Sequence, residues 1–247
     1  MQISEARILV TGGARGIGNF LALQLSEKAS KVFILDNNEP LLSAIPHRDN
    51  LRTFKCDVTN YTEVKQVVEK VFQEEGGINV LINNAGIIHS ELLVSLMHPD
   101  RKHNVENWNR VVNLNLNAVF YITSHVVDQM VSKKEKGVII NISSISAQGN
   151  MGQSAYSATK AAVEALTKTW SKELGMFKIR SVCIAPGFFN TPSTRESLSE
   201  AMLSKWEKSV PIARLGELSE LLSATEFLIG NDYYNGKILQ LDGGLII

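Results

Sequence analysis

The sequence predicts an α/β fold, a doubly wound parallel sheet with helices on both faces. Three observations predict it. Short apolar runs alternate with stretches of helical apolar spacing, a glycine-rich turn joins the first strand to the first helix, and no proline- or serine-rich linker divides the 247 residues. Alternation of this kind, with strands apolar throughout, implies parallel strands covered on both sides. Right-handed crossovers then place ligands at the carboxyl ends of the strands.

Strands are expected near 7–11, 31–36, 51–56, 78–84, 137–143, 179–184 and 237–241, and helices near 17–29, 61–75, 105–132, 154–174 and 217–229. The first strand is the apolar run Ile8-Leu9-Val10, and the helix after it begins with Asn19-Phe20-Leu21-Ala22-Leu23. The second strand, Lys31 to Leu35, ends at Asp36, and Val80-Leu81-Ile82 reads as a fully buried fourth strand. A hydrophobic fraction of 44% and a charged fraction of 20% suit one well-buried domain spanning 1–247.

Charge and composition exclude several classes. The 25 acidic and 25 basic residues balance, so there is no electrostatic signal for nucleic acid or an anionic membrane surface. The run Lys133-Lys134-Glu135-Lys136 is a solvated surface feature. No segment approaches the roughly 18 apolar residues of a membrane span, and the first strand begins too early for a signal peptide's apolar region. Cys56 and Cys183 fall at strand ends and suit buried thiols in a reducing compartment, so a cytoplasmic location is expected.

The turn after the first strand reads Thr11-Gly12-Gly13-Ala14-Arg15-Gly16-Ile17-Gly18. Strand, glycine turn and helix in that order are the context of a dinucleotide site. Gly12 permits a tight turn, Gly16 lets backbone approach a pyrophosphate, and Gly18 allows close helix packing, with the phosphates at a helix N-terminus. The spacing, Gly-x3-Gly-x-Gly, is one residue wider at the front than Gly-x-Gly-x2-Gly. Asp36, twenty residues past Gly16, is placed to accept hydrogen bonds from an adenosine ribose. Its charge would repel a 2′-phosphate and favours NAD(H). Arg15 could instead grip such a phosphate, so NADP(H) stays open. Expected contacts within the turn are Gly12, Arg15, Gly16, Ile17 and Gly18.

Farther along, Tyr156 and Lys160 stand four residues apart, one above the other on a helix. A nearby cation favours phenolate, so the tyrosine's pKa is expected to fall toward working pH, which suits proton exchange at a carbonyl or alcohol oxygen.

In chain order, Thr11-Gly12-x3-Gly16-x-Gly18, Asp57-Val58, Asn83-Asn84-Ala85-Gly86, Asn115, Ser143-Ser144, Tyr156-x3-Lys160 and Pro186-Gly187 resemble the short-chain dehydrogenase/reductase family over nearly the whole chain. The resemblance implies a Rossmann-type fold with seven strands in the order 3-2-1-4-5-6-7. It implies that Asp57 and Val58 lie against the adenine, that Asn83, Ala85 and Gly86 meet the cofactor riboses, and that Lys160 binds the nicotinamide ribose while Tyr156 stands beside the ring. Pro186 and Gly187 end the sixth strand, and Phe189 and Thr191 are expected at the nicotinamide carboxamide. The catalytic set it implies is Asn115, Ser144, Tyr156 and Lys160, with Asn115 holding a water that links Lys160 to solvent. Counting seven residues from Trp108 selects Asn115 over Asn113. Ser144 lies twelve residues before Tyr156, where thirteen is common in the family, so Ser143 is an alternative. No metal is needed.

His89, His98 and His103 cluster after Gly86, but their spacings of nine and five match no compact ligand motif, and they are read as surface or substrate-loop residues. The segment from Ile87 to Asn107 is long for this loop and is expected to border the site and shape substrate choice, although an inert insertion fits equally well. The stretch 188–214 is expected to cover the substrate. Its apolar stripe Leu198, Met202, Leu203 and Trp206 reads more readily as core packing than as a substrate contact, and Arg195, Lys205 and Lys208 read as surface charges before contacts to a carrier's phosphate.

Gly149 to Gln153, Arg214-Leu215-Gly216 and Leu241-Asp242-Gly243-Gly244 resemble 3-oxoacyl-carrier-protein reductases. Asp36, the long loop and Tyr234 to Gly243 resemble NAD-dependent 3-hydroxyacyl-CoA dehydrogenases. The implied substrate is therefore a 3-oxoacyl or 3-hydroxyacyl thioester. Rival readings are a dehydrogenase of a sugar, steroid or secondary metabolite, a non-catalytic dinucleotide-binding regulator, and an epimerase, the last disfavoured by the short C-terminal region. A homotetramer or homodimer is expected, with Ala161, Ala162, Ala165, Leu166 and Trp170 offering one face and Leu245-Ile246-Ile247 an apolar tail.

Overall fold

Seven parallel strands make a single sheet in the order β3-β2-β1-β4-β5-β6-β7 in a computed structural model that describes residues 1–97, 100–191, 194 and 200–245. The strands are β1 (Arg7–Thr11), β2 (Lys31–Asp36), β3 (Leu51–Lys55), β4 (Val80–Asn83), β5 (Gly137–Ile142), β6 (Ile179–Pro186) and β7 (Ile238–Leu241). All of β4, β5 and β6 is buried, whereas β3 at one edge alternates and β7 at the other is half-exposed. That contrast follows from central strands being covered on both faces and edge strands being covered less.

Helices α1 (Gly16–Leu25) and α8 (Leu218–Gly230) cover one face, packing Leu21, Leu25, Leu221 and Leu228 on Ile8, Val10, Val32 and Ile34. On the other face, α3 (Tyr61–Glu74), α5 (Ala118–Ser132) and α6 (Ser154–Glu173) pack on Leu9, Phe33, Leu81 and Ile139. Successive strand residues point to opposite sides, so each strand feeds both cores. Helix α3 shows how sequence sets this: Val64, Val68, Val71 and Phe72 fall on one stripe and are all buried. Its start is set by Asn60, whose side chain accepts the N–H groups of Thr62 and Glu63.

Three details depart from expectation. A short helix, α2 (Glu39–Ser43), follows β2, capped by Asn38 with Pro40 in its first turn. A further helix, α7 (Glu200–Ser209), lies in the segment expected to cover the substrate, which otherwise includes residues outside those described, Arg195 and Leu198 among them. The helix expected over 105–132 is α4 (Val105–Val112), a π-helical stretch Asn113–Asn117, then α5. The wider π turn buries Asn115 completely and leaves Asn113 exposed. The expected face of α6 also divides: Trp170 is in the core and Ala161 and Ala165 are exposed. Ile246, Ile247 and His98 lie outside the described residues. Among the described residues, no helix is long and apolar enough to cross a membrane.

Candidate active site

The glycine turn sits at the carboxyl end of β1, in the middle of the sheet. Gly12 adopts φ +63° and lies so close to the loop after β4 that a Cβ would meet Ala85 Cα at 2.9 Å. A Cβ on Gly18 would stand 2.5 Å from the Gly12 carbonyl, so α1 approaches the turn only because that position has no side chain. Gly16, at φ +58°, faces open space. The first bond of α1 runs from Asn19 N to the Arg15 carbonyl at 3.2 Å, so the N–H groups of residues 16–18 have no acceptor within the helix. Unpaired N–H groups opening on free space fit a pyrophosphate. Arg15 is exposed beside them, and Ile17 packs partly against the core beneath.

Asp36 closes one side of this cradle. Its Oδ2 accepts Ala14 N–H at 3.0 Å and its Oδ1 accepts Asn38 N–H at 3.0 Å, which fixes the carboxylate at the end of β2. Each oxygen keeps acceptor capacity for a hydroxyl. Asp57, with Asn37, Thr59, Arg110 and Leu114, lines an open cleft of about 510 Å³ next to this end. Val58 is buried in the core formed with α3, so it contributes a packed floor.

The loop after β4 is tied to the glycine turn. Thr11 Oγ1 accepts the N–H groups of Asn84 and Ala85, both at 3.1 Å, and Asn84 Nδ2 donates to the Thr11 and Gly12 carbonyls. Asn83 is buried at the end of β4. Its side chain donates to Thr123 Oγ1 and Asn141 Oδ1 inside the core, both at 2.8 Å, so only its main chain is left for a ribose. The missed residue is Asn84, whose amide does the clamping.

Gly86 marks the meeting point of the catalytic candidates. A Cβ there would lie 3.2 Å from Asn115 Oδ1 and 3.7 Å from Lys160 Nζ. Asn115 spends both ends of its amide on Ile87, accepting its N–H and donating to its carbonyl, each at 2.9 Å. Its side chain therefore pins the Gly86–Ile87 backbone. Lys160 Nζ lies 5.7 Å from the Tyr156 ring centroid and donates to the Ile142 carbonyl at 2.7 Å. The two serines part company. Ser143 Oγ is buried and shares its single hydrogen between the Lys160 carbonyl at 3.2 Å and Glu164 at 3.0 Å, whereas Ser144 hydrogen-bonds the Tyr156 phenol.

The electrostatics correct one expectation. Burial pushes the Tyr156 phenol above its ordinary value, and the Ser144 hydrogen bond draws it partly back. Lys160 does not bring it down, because the ammonium sits over the ring and its hydrogen bond goes to Ile142. Burial also pushes Lys160 down to about 8. At the far end of the site, Gly187 N–H binds the Leu241 carbonyl at 2.9 Å just past Pro186. The Phe189 ring packs in the core against Gly216, so only its backbone can face a carboxamide. Thr191 is buried and its hydroxyl pairs with that of Thr194 at 2.8 Å.

Fold and site together define an α/β oxidoreductase with a dinucleotide cradle and a Ser–Tyr–Lys cluster in which Tyr156 and Lys160 are buried. Residues 6–201 match the family model described as short chain dehydrogenase. The chain is 37% identical to a 3-oxoacyl-(acyl-carrier-protein) reductase FabG of Thermotoga maritima, aligned over all of both chains. It is 34% identical to a sorbitol-6-phosphate 2-dehydrogenase of Klebsiella pneumoniae, covering 99% of this chain and 97% of the relative. A ligand-free aldohexose dehydrogenase of Thermoplasma acidophilum superimposes with a TM-score of 0.85 at 28% identity, covering 98% of this chain and 94% of that one. This chain belongs to the short-chain dehydrogenase family. It is an oxidoreductase acting on CH–OH and C=O groups, and its cofactor is a nicotinamide dinucleotide.

Proposed function

We propose that this enzyme interconverts 3-oxoacyl and 3-hydroxyacyl thioesters with NAD(H). The observation that carries the chemistry is the convergence of Ser144, Tyr156 and Lys160 beside Gly86. In reduction, the Tyr156 hydroxyl donates its proton to the substrate carbonyl oxygen while Ser144 hydrogen-bonds the same oxygen; oxidation reverses the transfer. The bound cofactor supplies or accepts the hydride. Lys160 would leave the Ile142 carbonyl to hold the nicotinamide ribose and return Tyr156's proton, and Asn115 keeps the Gly86–Ile87 backbone in register for it. Gly12, Gly16, Ile17 and Gly18 would hold the pyrophosphate, Asp57 the adenine end, and Gly187 with the Phe189 backbone and Thr191 the carboxamide. Asp36 at the ribose supports NAD(H), and Asp36→Ala should erode the preference for NADH over NADPH, as measured by the ratio of the two kcat/KM values.

An apolar rim supports an acyl substrate. Leu93, Leu96 and Met97 of the loop after β4, Met151 just before α6 and Met202 of α7 are all exposed large side chains. On this reading the segment 188–214 covers the substrate, with Trp206 stacked on Phe188 at 4.0 Å between centroids. Membership of a homotetramer or homodimer would cover part of the same surface. The sugar- and polyol-phosphate-oxidising relatives favour a second reading, a dehydrogenase of such a polyol. Oxidation of NADH and NADPH with 3-oxoacyl-CoA, 3-oxoacyl-carrier and ketose-phosphate substrates, alongside reduction of NAD⁺ and NADP⁺ with aldohexoses, separates the two. The thioesters should give the highest kcat/KM; a clear win for the carbohydrates would replace the first reading by the second.

A further inference from the structure

The loop between β4 and α4 carries a side-chain cluster for which the redox reaction has no use. His89 and Glu91 are two residues apart, which on extended chain puts them on one side, and His103 returns to meet them. The return is built by backbone pairing, with His103 N–H on the Leu93 carbonyl at 3.0 Å and Ser95 N–H on the Arg101 carbonyl at 2.9 Å. The candidate ligand atoms of His89, Glu91 and His103 all lie within 4.8 Å of one another. His89 Nε2 is 2.8 Å from Glu91 Oε2, and His103 Nε2 is 3.8 Å from that same oxygen.

Outer contacts orient Glu91 and His103. Glu91 Oε1 accepts Asn104 N–H at 2.8 Å, and Asn107 Nδ2 donates to Oε2 at 3.2 Å. His103 Nδ1 is 3.1 Å from the Glu91 main-chain carbonyl. A carbonyl only accepts, so Nδ1 carries the hydrogen, and in the neutral ring Nε2 is then a bare lone pair. That nitrogen has no hydrogen-bond partner, and the His103 side chain is only 8% exposed. A buried lone pair turned toward a carboxylate is a place for positive charge, either a proton on Nε2 or a bound cation. His89 already supplies one hydrogen to that oxygen, yet two imidazoles and a carboxylate converge here, with Glu91 and His103 oriented by main-chain or amide partners as metal ligands commonly are.

We propose that His89, Glu91 and His103 form a divalent-metal site, with Zn²⁺ the cation this donor set suits, leaving a fourth position for solvent. Coordination requires His89 to present Nε2 as a lone pair, its hydrogen moving to Nδ1. The site staples the loop to the start of α4 through Asn104 and Asn107. It also reaches the catalytic helix, because Glu91 N–H donates to the Gly152 carbonyl at 2.6 Å and Gln153 Nε2 donates to Ser90 Oγ at 3.2 Å, three residues before Tyr156. The metal would thus stiffen one wall of the substrate entrance without touching the reacting atoms.

The test is calorimetric titration of the chelator-stripped full chain with ZnCl₂, with Co²⁺ absorption as a second readout. The expected result is one Zn²⁺ per chain, a four-coordinate Co²⁺ spectrum and a rise in Tm with metal. His103→Ala and Glu91→Gln should weaken binding by more than the about 10–100-fold typical of losing an outer contact. His47→Ala and His125→Ala should leave it unchanged. His89→Ala, at a more exposed position, carries the test if His103→Ala does not fold. Absence of saturable binding, or binding undiminished in His89→Ala and Glu91→Gln, would overturn the proposal, and neither result bears on the choice of redox substrate.

Discussion

The two ends of the active-site cleft are built by different means. At the dinucleotide end, backbone does the work: Gly12, Gly16 and Gly18 clear space, Thr11 and Asn84 lock two strand ends together, and the N-terminus of α1 offers unpaired N–H groups. On the function proposed above, the substrate end is instead built by side chains on long connections: Leu93, Leu96 and Met97 on one loop, Phe188 stacked on Trp206 on another, and the His89–Glu91–His103 cluster between loop and helix. A backbone cradle accepts one ligand shape and has few ways to change. A wall of loop side chains can be rewritten without disturbing the sheet, which is how one scaffold serves many substrates.

Where the two ends meet, Tyr156→Phe should have the largest effect. It should cut turnover by about 10²–10⁴-fold while nucleotide affinity, read by fluorescence titration with NADH, stays close to wild type. Loss of affinity along with turnover would mean that the phenol serves the cradle as well. Ser144→Ala should reduce kcat by about 10²–10³-fold. Ser143→Ala, one residue away, should instead cost about 1 kcal/mol of stability in urea unfolding and leave kcat within a few fold, because its hydroxyl is spent on Lys160's carbonyl and Glu164. Gly18→Ala tests the cradle alone. Its Cβ collides with the Gly12 carbonyl, so about 1–3 kcal/mol of stability and a matching share of NADH affinity should go, with the chemical step in saturated enzyme little changed.

The smallest effect is on alkaline stability of the apo chain. Burial pushes the Cys56 and Cys183 thiols up to about 12 and Lys160 down to about 8. Between about pH 9 and 10.5 the unfolded chain therefore holds one more proton at the lysine but two fewer at the cysteines. Net, unfolding releases protons there, so stability should fall as pH rises. In the Cys56→Ala/Cys183→Ala chain only the lysine remains of the three, and the slope from these groups should turn upward. Urea midpoints across that range measure it.

Much of this was legible in one dimension. Strand β1, the glycine turn and α1 are specified by apolar runs and by glycines whose effect is local, and β2 ends at Asp36 where its apolar run stops. The Tyr156–Lys160 pairing follows from helical spacing alone. Other features depended on which way a side chain turned. Asn83 sits in the right motif yet faces the core toward Thr123 and Asn141. A straight helix read across 105–132 hid the π turn that buries Asn115. Spacings counted between histidines passed over Glu91, the group that brings His89 and His103 together.

By itself, then, the order of residues determined the strands and the glycine turn, because those rest on short-range periodicity and on glycine's freedom, and its resemblance to a known family implied the strand order and the proton-handling groups. Only the folded chain decided which of two adjacent serines meets the phenol, what Lys160 binds, and that residues of a long loop converge on one point. Neighbouring strand-end residues face opposite sides of the sheet, and a loop's path is set by distant partners such as Gly152, so neither outcome is written in local sequence.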